Sequence, residues 1–304
     1  MEQFNVHILG CGSALPTIKH NPSCQIVEMR GKMFMVDCSE GAQLTLRKSH
    51  IAFGKINSIF ISHMHADHCL GLPGLITTFS LLDRTAPLHI YGPAQLEIIL
   101  NHMLEAFCHE PSFSVTFHAV DTTKKAVIYE DHGCAIESIP LQHRLPCCGF
   151  LFSEKTGRRH IIRDACDRYA IPFCQFDNLR CGLDYTAPDG TIIPNDRLTL
   201  PPDPVRRYAY CSDTRYFPEL AQMVEGVDLL YHESTYGDDR KANAAKYYHS
   251  TAREAATTAL NAKVRKLMLG HYSARYTDET VLLDQALTVF PDTILSDEGM
   301  TVSI

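Results

Sequence analysis

The chain reads Ser62-His63-Met64-His65-Ala66-Asp67-His68 directly after an apolar run at residues 57–62, which predicts a strand. Four potential metal ligands thus lie within six residues, in a strand-end loop where a rigid sheet holds side chains in a fixed geometry. Imidazole and carboxylate suit Zn²⁺, and the His-x-His spacing lets two rings face one ion while Asp67 and His68 turn toward another. The alternative, a surface loop with incidental histidines, leaves so many imidazoles beside an aspartate unexplained.

The composition is that of a globular protein with a large core. The chain has 304 residues, 45% hydrophobic and 21% charged, which excludes a disordered, collagen-like or coiled-coil chain. No apolar run approaches the roughly 20 residues that span a bilayer, and the start lacks a secretion signal, so a cytoplasmic location without membrane contact is expected. The twelve cysteines form no Cys-x-x-Cys pair, which favours reduced thiols. The net charge of −7 argues against indiscriminate nucleic-acid binding.

Strand-like runs alternate with helical patterns along most of the chain, which predicts an α/β fold of two mixed sheets flanked by helices. The predicted strands lie at residues 4–9, 25–29, 32–36, 57–62, 88–91, 113–118, 126–130, 135–139, 207–212, 227–232, 266–270, 293–296 and 300–304. The predicted helices lie at residues 40–48, 70–82, 93–107, 217–224, 252–262 and 278–289. Residues 155–204 are rich in Arg, Asp, Pro and Gly and lack sustained periodicity. We expect them to form an arm or extended loop inserted into a single domain of residues 1–304.

The histidine cluster resembles the signature of the metallo-β-lactamase superfamily. Extended to SHMHADHCLGLPGL (residues 62–75), it more narrowly resembles the ribonuclease Z family, endonucleases that trim the 3′ end of precursor tRNA. The resemblance is nearly full length, because further similar segments lie in the family's order at residues 9–13, 36–41, 91–93, 230–235 and 248–251. It implies an αββα sandwich of the metallo-β-lactamase type. The Gly and Pro residues of these segments are expected mainly to supply turn geometry.

The resemblance also implies two metal sites. One Zn²⁺ would take His63, His65 and His143, and the other would take Asp67, His68 and His271, with Asp213 bridging both ions. Two such ions clamp the attacking and the leaving oxygen of a phosphoryl displacement. The resemblance gives Asp67 a second role as the base that orients water and takes its proton. Taken singly, His143 and His271 would be ordinary histidines.

A second constellation separates the narrow resemblance from the broad one. Residues 232–235 resemble the family's His-Glu-Ala-Thr element, with Ser234 in place of Ala, and residues 249–251 match its His-Ser-Thr element. Thr251 and Glu254 have the spacing of a capping box, which predicts a helix N-terminus beside His249 where N–H groups bind phosphate. We therefore expect His249, oriented by Glu233, to protonate the departing 3′ oxygen. The alternative is a histidine packed near a helix start.

Substrate contacts are less sharply indicated. Ser273 and Arg275 belong to a Ser-x-Arg-Tyr element that resembles the family's, so we expect them to bind substrate. Basic residues gather in two tracts, 155–168 and 240–253, as expected for a docked polyanion or simply for a solvated charged surface. The arm resembles the family's tRNA-gripping arm but lacks its Gly-Pro element. There, Phe173 and Phe176 are expected either to stack on nucleotides or to pack within the arm.

The expected function is that of a dinuclear zinc endoribonuclease acting on precursor tRNA. Cleavage would leave a 3′ hydroxyl on the tRNA and a 5′ phosphate on the trailer. The resemblance further implies a homodimer in which one subunit's arm presents tRNA to the other's active site. Two alternatives stay open: a superfamily hydrolase of a small phosphodiester or thioester, and a non-catalytic zinc-binding or RNA-binding module. The intact Asp67, Asp213 and His249 weigh against the second.

Overall fold

The computed structural model describes residues 3–108 and 110–304 and contains two seven-stranded sheets. In chain order the strands are β1 (Phe4–Gly10), β2 (Cys24–Met29), β3 (Lys32–Val36), β4 (Ile56–Phe60), β5 (Leu88–Gly92), β6 (Val115–Ala119), β7 (Ala126–Glu130), β8 (Cys134–Pro140), β9 (Cys148–Glu154), β10 (His160–Ile161), β11 (Tyr185–Thr186), β12 (Ile192–Ile193), β13 (Thr199–Leu200), β14 (Arg207–Cys211), β15 (Leu229–Glu233), β16 (Leu267–Gly270), β17 (Thr293–Leu295) and β18 (Thr301–Ser303). The helices are α1 (Ala42–Lys48), α2 (Ala66–Cys69), α3 (Leu72–Leu81), α4 (Ala94–Phe107), α5 (Arg163–Arg168), α6 (Phe176–Arg180), α7 (Leu220–Met223), α8 (Lys241–Tyr247), α9 (Ala252–Asn261) and α10 (Thr280–Leu287).

Both large sheets are mixed, as the alternation of elements predicts. The first sheet has the order β18-β1-β2-β3-β4-β5-β6, and the second has the order β17-β16-β15-β14-β9-β8-β7. Strands β3 to β6 run parallel to one another, and so do β14 to β17. The carboxyl ends of parallel neighbours lie at the same edge of a sheet. The loops that follow these strands are therefore brought together at one edge of each sheet.

Aromatic side chains fill much of the core that both sheets share. Phe60 of β4 stacks on Tyr91 of β5 with ring centres 4.7 Å apart, and it meets Phe150 and Phe152 of β9 edge-on at 5.5 and 5.9 Å. Burying one such side chain contributes about 1.5–3 kcal/mol. A second apolar cluster joins the first sheet to α1, α3 and α4. Helices α9 and α10 contact the strands of the second sheet, which completes the αββα sandwich.

Residues 154–205 form a compact unit of their own, and this range nearly coincides with the predicted arm at residues 155–204. The unit contains α5, α6, two-stranded pairs of β10 with β13 and β11 with β12, and a small apolar core. Elements of two to six residues are too short to show a period in sequence. Phe176 lies in that core, whereas Phe173 is 69% exposed. The ring centre of Phe173 lies 4.2 Å from the guanidinium carbon of Arg163.

The sequence patterns missed elements of the main unit as well, among them β9 and α8. Strand β9 is almost wholly buried between β8 and β14, so its apolar run lacks the alternation that marks a half-buried strand. Helix α8 buries only Ala244 and therefore shows no apolar face. Over residues 3–108 and 110–304, no helix combines the length and apolar character needed to cross a bilayer.

Candidate active site

All seven predicted metal ligands follow the carboxyl ends of strands, and the fold brings them together. His63, His65, Asp67 and His68 follow β4, and the last two lie within the short helix α2. Three further loops supply one ligand each, after β8, β14 and β16: His143, Asp213 and His271. The site is thus built from one local cluster and three single residues that are distant in sequence.

Two groups of side chains could each hold a metal ion, and we call them donor groups. The first donor group consists of His63, His65, His143 and Asp213. Nδ1 of His65 lies 2.9 Å from Nε2 of His63 and 3.2 Å from Nε2 of His143. Oδ2 of Asp213 lies 3.6 Å from Nε2 of His63 and 3.7 Å from Nε2 of His143. Four atoms held tetrahedrally about 2.0–2.2 Å from one ion would be about 3.3–3.6 Å apart. The donors therefore have nearly the spacing of a zinc coordination sphere.

The second group consists of Asp67, His68 and His271, and it faces the other oxygen of Asp213. Oδ1 of Asp213 lies 3.1 Å from Nε2 of His271 and 3.4 Å from Nε2 of His68. Oδ2 of Asp67 lies 3.3 Å from Nε2 of His68. Those three atoms of His68, His271 and Asp213 are buried and have no hydrogen-bond partner among the described residues. Such buried orphan atoms are costly unless a cation satisfies them, so the residues fit a bridged pair of metal ions.

Hydrogen bonds fix how the donor rings present their lone pairs. His68 Nδ1 lies 2.7 Å from Oδ2 of Asp37, and His143 Nδ1 lies 2.9 Å from the carbonyl oxygen of Tyr248. A carbonyl only accepts, so His143 must donate from Nδ1 and keep its lone pair on Nε2. This arrangement is typical of metal-ligating histidines.

Two hydroxyl groups set the remaining rings in the same way. Ser62 Oγ donates to Asp37 at 2.9 Å, so it accepts from Nδ1 of His63 at 3.0 Å. Thr235 Oγ1 donates to Glu233 at 2.7 Å, so it accepts from Nδ1 of His271 at 2.8 Å. Both rings therefore turn an unprotonated Nε2 toward the donor groups.

Asp37 orients several residues of the site, although the sequence assigned it no role beyond membership of the segment at residues 36–41. Besides His68 it accepts hydrogen bonds from the backbone N–H of Ser62 at 2.8 Å and from the hydroxyl of Tyr210 at 2.7 Å. It is fully buried and adopts φ +55°. An acid placed immediately after the buried strand β3 was the sequence signal for this role.

Gly71 fastens the histidine cluster to the loop after β3. Its N–H donates to the carbonyl of Cys38 at 2.9 Å, while Cys38 N–H donates to the carbonyl of His68 at 2.7 Å. A Cβ atom at position 71 would lie 1.9 Å from the carbonyl oxygen of Ser39. This glycine therefore supplies a close approach of two backbones rather than an unusual turn conformation.

Burial keeps the first donor group in the protonation state that binds a cation. It lowers the pKa values of His63, His65 and His143, so these rings are neutral near pH 7. Burial also opposes ionisation of Asp213, yet the facing imidazoles outweigh it and hold the pKa of this carboxyl well below its usual range. Neutral rings and an ionised carboxylate are the forms that ligate metal.

His68 is the exception among the ligands. Burial disfavours its charged form, but the carboxylates of Asp213, Asp67 and Asp37 outweigh burial and raise its pKa well above the ordinary value. A ring protonated at both nitrogens cannot ligate. Binding of a cation at the second group therefore releases a proton.

His249 and Glu233 lie beside the donor groups. His249 Nδ1 lies 2.8 Å from Oε1 of Glu233. The Glu233 side chain is fully buried, and it also accepts hydrogen bonds from the N–H of Thr214 at Oε1 and from the N–H of Thr235 at Oε2, at 3.0 Å each. Burial disfavours protonation of His249, but the Glu233 carboxylate outweighs it and raises the pKa of His249 to about 9. Close to pH 7 this imidazole therefore carries a proton that it can give away.

The predicted helix start near His249 is present, with one difference. Thr251 caps α9 with both hydrogen bonds of the capping box, reciprocally with Glu254. The N–H of Ala252 is also taken, by the carbonyl of Tyr236. The N–H groups of Ala252 and Glu254 are therefore engaged within the protein, and the expectation that the N–H groups of this helix start bind phosphate does not hold for these two.

The predicted substrate residues and the tract at residues 240–253 have mixed placements. Ser273 lines a cleft of about 400 Å³ together with Asp67, His249 and His271, whereas Arg275 is exposed and outside the lining. Three of the four cations in the tract at residues 240–253 form ion pairs with acids that lie outside this tract. The pairs are Arg240 with Asp239, Lys241 with Glu254, and Arg253 with Asp238.

The two sheets and the paired donor groups define a metal-dependent hydrolase of the metallo-β-lactamase fold. The metallo-beta-lactamase fold protein YhfI of Bacillus subtilis matches with a TM-score of 0.70 over 100% of both chains at 17% identity, which shows the fold. Human tRNase Z, short form, matches with a TM-score of 0.73 over 99% of both chains at 25% identity.

Sequence relatives narrow this class. Ribonuclease Z of Bacteroides fragilis is 53% identical, and that of Porphyromonas gingivalis is 48% identical, each over 100% of both chains. A family model described as Anti-Pycsar protein Apyc1 matches residues 4–162. The chain belongs to the ribonuclease Z family, and its residues 4–162 also belong to the family of that model. The predicted fold, family and enzyme class, a hydrolytic nuclease, are confirmed.

Proposed function

We propose that this chain removes the 3′ trailer from precursor tRNA by hydrolysis at two zinc ions. The observation that carries the proposal is the pairing of two donor groups through Asp213 with a protonated His249 beside them. The relatives named Ribonuclease Z and the human tRNase Z supply the substrate class. The products would be tRNA with a 3′ hydroxyl and a trailer with a 5′ phosphate.

The residues fit zinc in number and type. His63, His65 and His143 would hold one ion and Asp67, His68 and His271 the other, with Asp213 between them. Nitrogen-rich donor sets with carboxylate oxygen are common for zinc. Zinc bound there polarises phosphoryl oxygens and makes water nucleophilic at neutral pH.

The protein's own groups divide the proton transfers. Burial opposes ionisation of Asp67, but the neighbouring histidines outweigh it and lower its pKa, so the carboxylate is ionised and can orient water. We assign it the role of proton acceptor on the family resemblance. His249, held by Glu233, carries the proton for the departing 3′ oxygen of the tRNA. An acceptor and a donor of protons thus line the same cleft.

The direct test uses the purified, zinc-loaded chain with a 3′-extended tRNA precursor and maps both product ends. We expect cleavage after the last tRNA nucleotide, abolished by a chelator and by Asp67→Ala. An intact precursor, together with turnover of a small phosphodiester or a thioester, would move the function to another hydrolase of the superfamily. Metal analysis of the same sample should give two zinc ions per chain; one ion would contradict the dinuclear assignment.

We further propose that the chain works as a homodimer in the cytoplasm, where tRNA precursors are processed. Helices on the outer side of the first sheet expose large apolar side chains: Leu44, Leu81, Ile98 and Phe107. Large exposed apolar side chains on neighbouring helices are typical of a protein interface. Light scattering should show a dimer for the natural chain and a monomer for the double variant Leu81→Glu, Ile98→Glu. A natural chain that is monomeric at micromolar concentration would refute the dimer.

A further inference from the structure

A group of cations and tyrosines lies beside the metal centre without belonging to it. We call this group the basic rim; it consists of Arg144, Arg215, Lys246, Tyr247 and Tyr248. The guanidinium carbon of Arg144 lies 5.3 Å from the ring centre of Tyr247, and Nζ of Lys246 lies 5.2 Å from the same centre. The guanidinium carbon of Arg215 lies 5.3 Å from the ring centre of Tyr248. Cations over aromatic faces are common where proteins bind single-stranded nucleic acid.

The rim is fixed to the loops that carry the site residues. Arg215 donates from its backbone N–H to the carbonyl of Gln142 at 3.0 Å and from Nε to the Gln142 side chain at 2.7 Å. The carbonyl of Tyr248 accepts from Nδ1 of His143, and Tyr248 directly precedes His249. The rim therefore holds a set position relative to both a metal ligand and the proton donor.

The positive charge of the rim is uncompensated within the described part of the chain. There, no carboxylate forms an ion pair with Arg144, Arg215 or Lys246, whereas three cations near them in sequence are neutralised. Those three are Arg240, Lys241 and Arg253, each paired with an acid. In an acidic protein, unpaired cations gathered next to a phosphodiester site attract the phosphates of the substrate.

The proton donor identifies which part of the RNA lies there. His249 serves the leaving oxygen, which in trailer removal is the 3′ oxygen of the last tRNA nucleotide. Since Tyr248 directly precedes His249, an RNA strand bound on the rim would lie on the tRNA side of the cleaved bond. Building on the proposed function, we propose that the basic rim binds the last tRNA nucleotides, with Arg144 and Arg215 on phosphates and the Tyr248 ring stacked on the last base.

Kinetics on a precursor tRNA with a short trailer test the rim. Arg215→Gln and Tyr248→Ala should each raise KM about tenfold, with much smaller changes in kcat and in zinc content. Tyr248→Phe should restore most of the lost affinity because it keeps the ring. Arg240→Gln, which removes the same charge from a cation paired with Asp239, is the matched control and should keep the KM of the natural chain. An equal rise of KM in Arg240→Gln would assign the effect to net charge and overturn the proposal.

Two modified precursors test which side of the bond is bound. One lacks the base of the last tRNA nucleotide, and the other lacks the base of the first trailer nucleotide. We expect Tyr248→Ala to lose its effect on KM only with the first precursor. A loss of the effect only with the second, or an undiminished effect with both, overturns the stacking assignment. Cleavage by the natural chain with no KM change in the variants defeats the rim alone, whereas an intact precursor defeats the proposed function as well.

Discussion

His143 and His249 lie side by side, with ring centres 5.1 Å apart, yet the protein prepares them for opposite tasks. Nδ1 of His143 donates to a neutral carbonyl, and burial lowers the pKa of His143. Nδ1 of His249 lies against the Glu233 carboxylate, which outweighs burial and raises the pKa of His249 to about 9. The partner of Nδ1 therefore decides whether an imidazole offers a lone pair or a proton.

The largest effect should come from removing the carboxylate that joins the two donor groups. Asp213→Ala deprives both groups of an oxygen, so we expect loss of bound zinc and a fall in kcat. The fall should exceed the roughly 10–100-fold loss that follows mutation of a residue that only supports a metal ligand. Metal analysis and precursor cleavage measure both. Retention of two zinc ions in this variant would contradict the bridging role.

Replacing the proton donor should separate the two tasks. His249→Ala is expected to lower kcat by about 10²–10⁴-fold, the usual contribution of a general acid, with zinc content unchanged. Titration of the apoprotein with zinc serves as the control measurement. Loss of zinc in this variant would make His249 a ligand and remove the contrast with His143.

A pH profile tests the cause of the contrast. The pKa of His249 is raised to about 9, so the acid form predominates below that pH and is lost as the pH rises through it. Glu233→Gln removes the charge that raises this pKa and leaves the burial that lowers it, so the alkaline limb of kcat/KM should move down by about 1–3 pH units. An unmoved limb would show that another group sets it.

A smaller effect is expected from the support beneath the ligands. Tyr210→Phe deletes one hydrogen bond to Asp37, the acceptor that orients His68. We expect the free energy of unfolding to fall by about 1.5–3 kcal/mol, measured by chemical denaturation, and zinc to bind about tenfold more weakly. Unchanged zinc affinity with lowered stability would limit Tyr210 to a packing role.

The local cluster at residues 62–68 was predictable because its donors are contiguous in sequence. His143, Asp213 and His271 could be singled out only through the family resemblance, since the order of the strands in the second sheet, invisible in sequence, brings their loops together. Asp37 was missed because its partners come from β14 and from the loop after β4. The arm's short elements and the fully buried β9 were missed because neither produces a readable period.

The pairing of β1 with β18 determines when the site can assemble. Asn5 and Ser303, which pair across these strands, are 298 positions apart, so the sheet that carries His63 to His68 is completed by a strand far downstream of these residues. Contacts between such distant residues form late, because a long loop must close first. On the ribosome the histidine cluster emerges long before its sheet is closed. We therefore expect zinc capture to be a late event, after β18 has paired with β1.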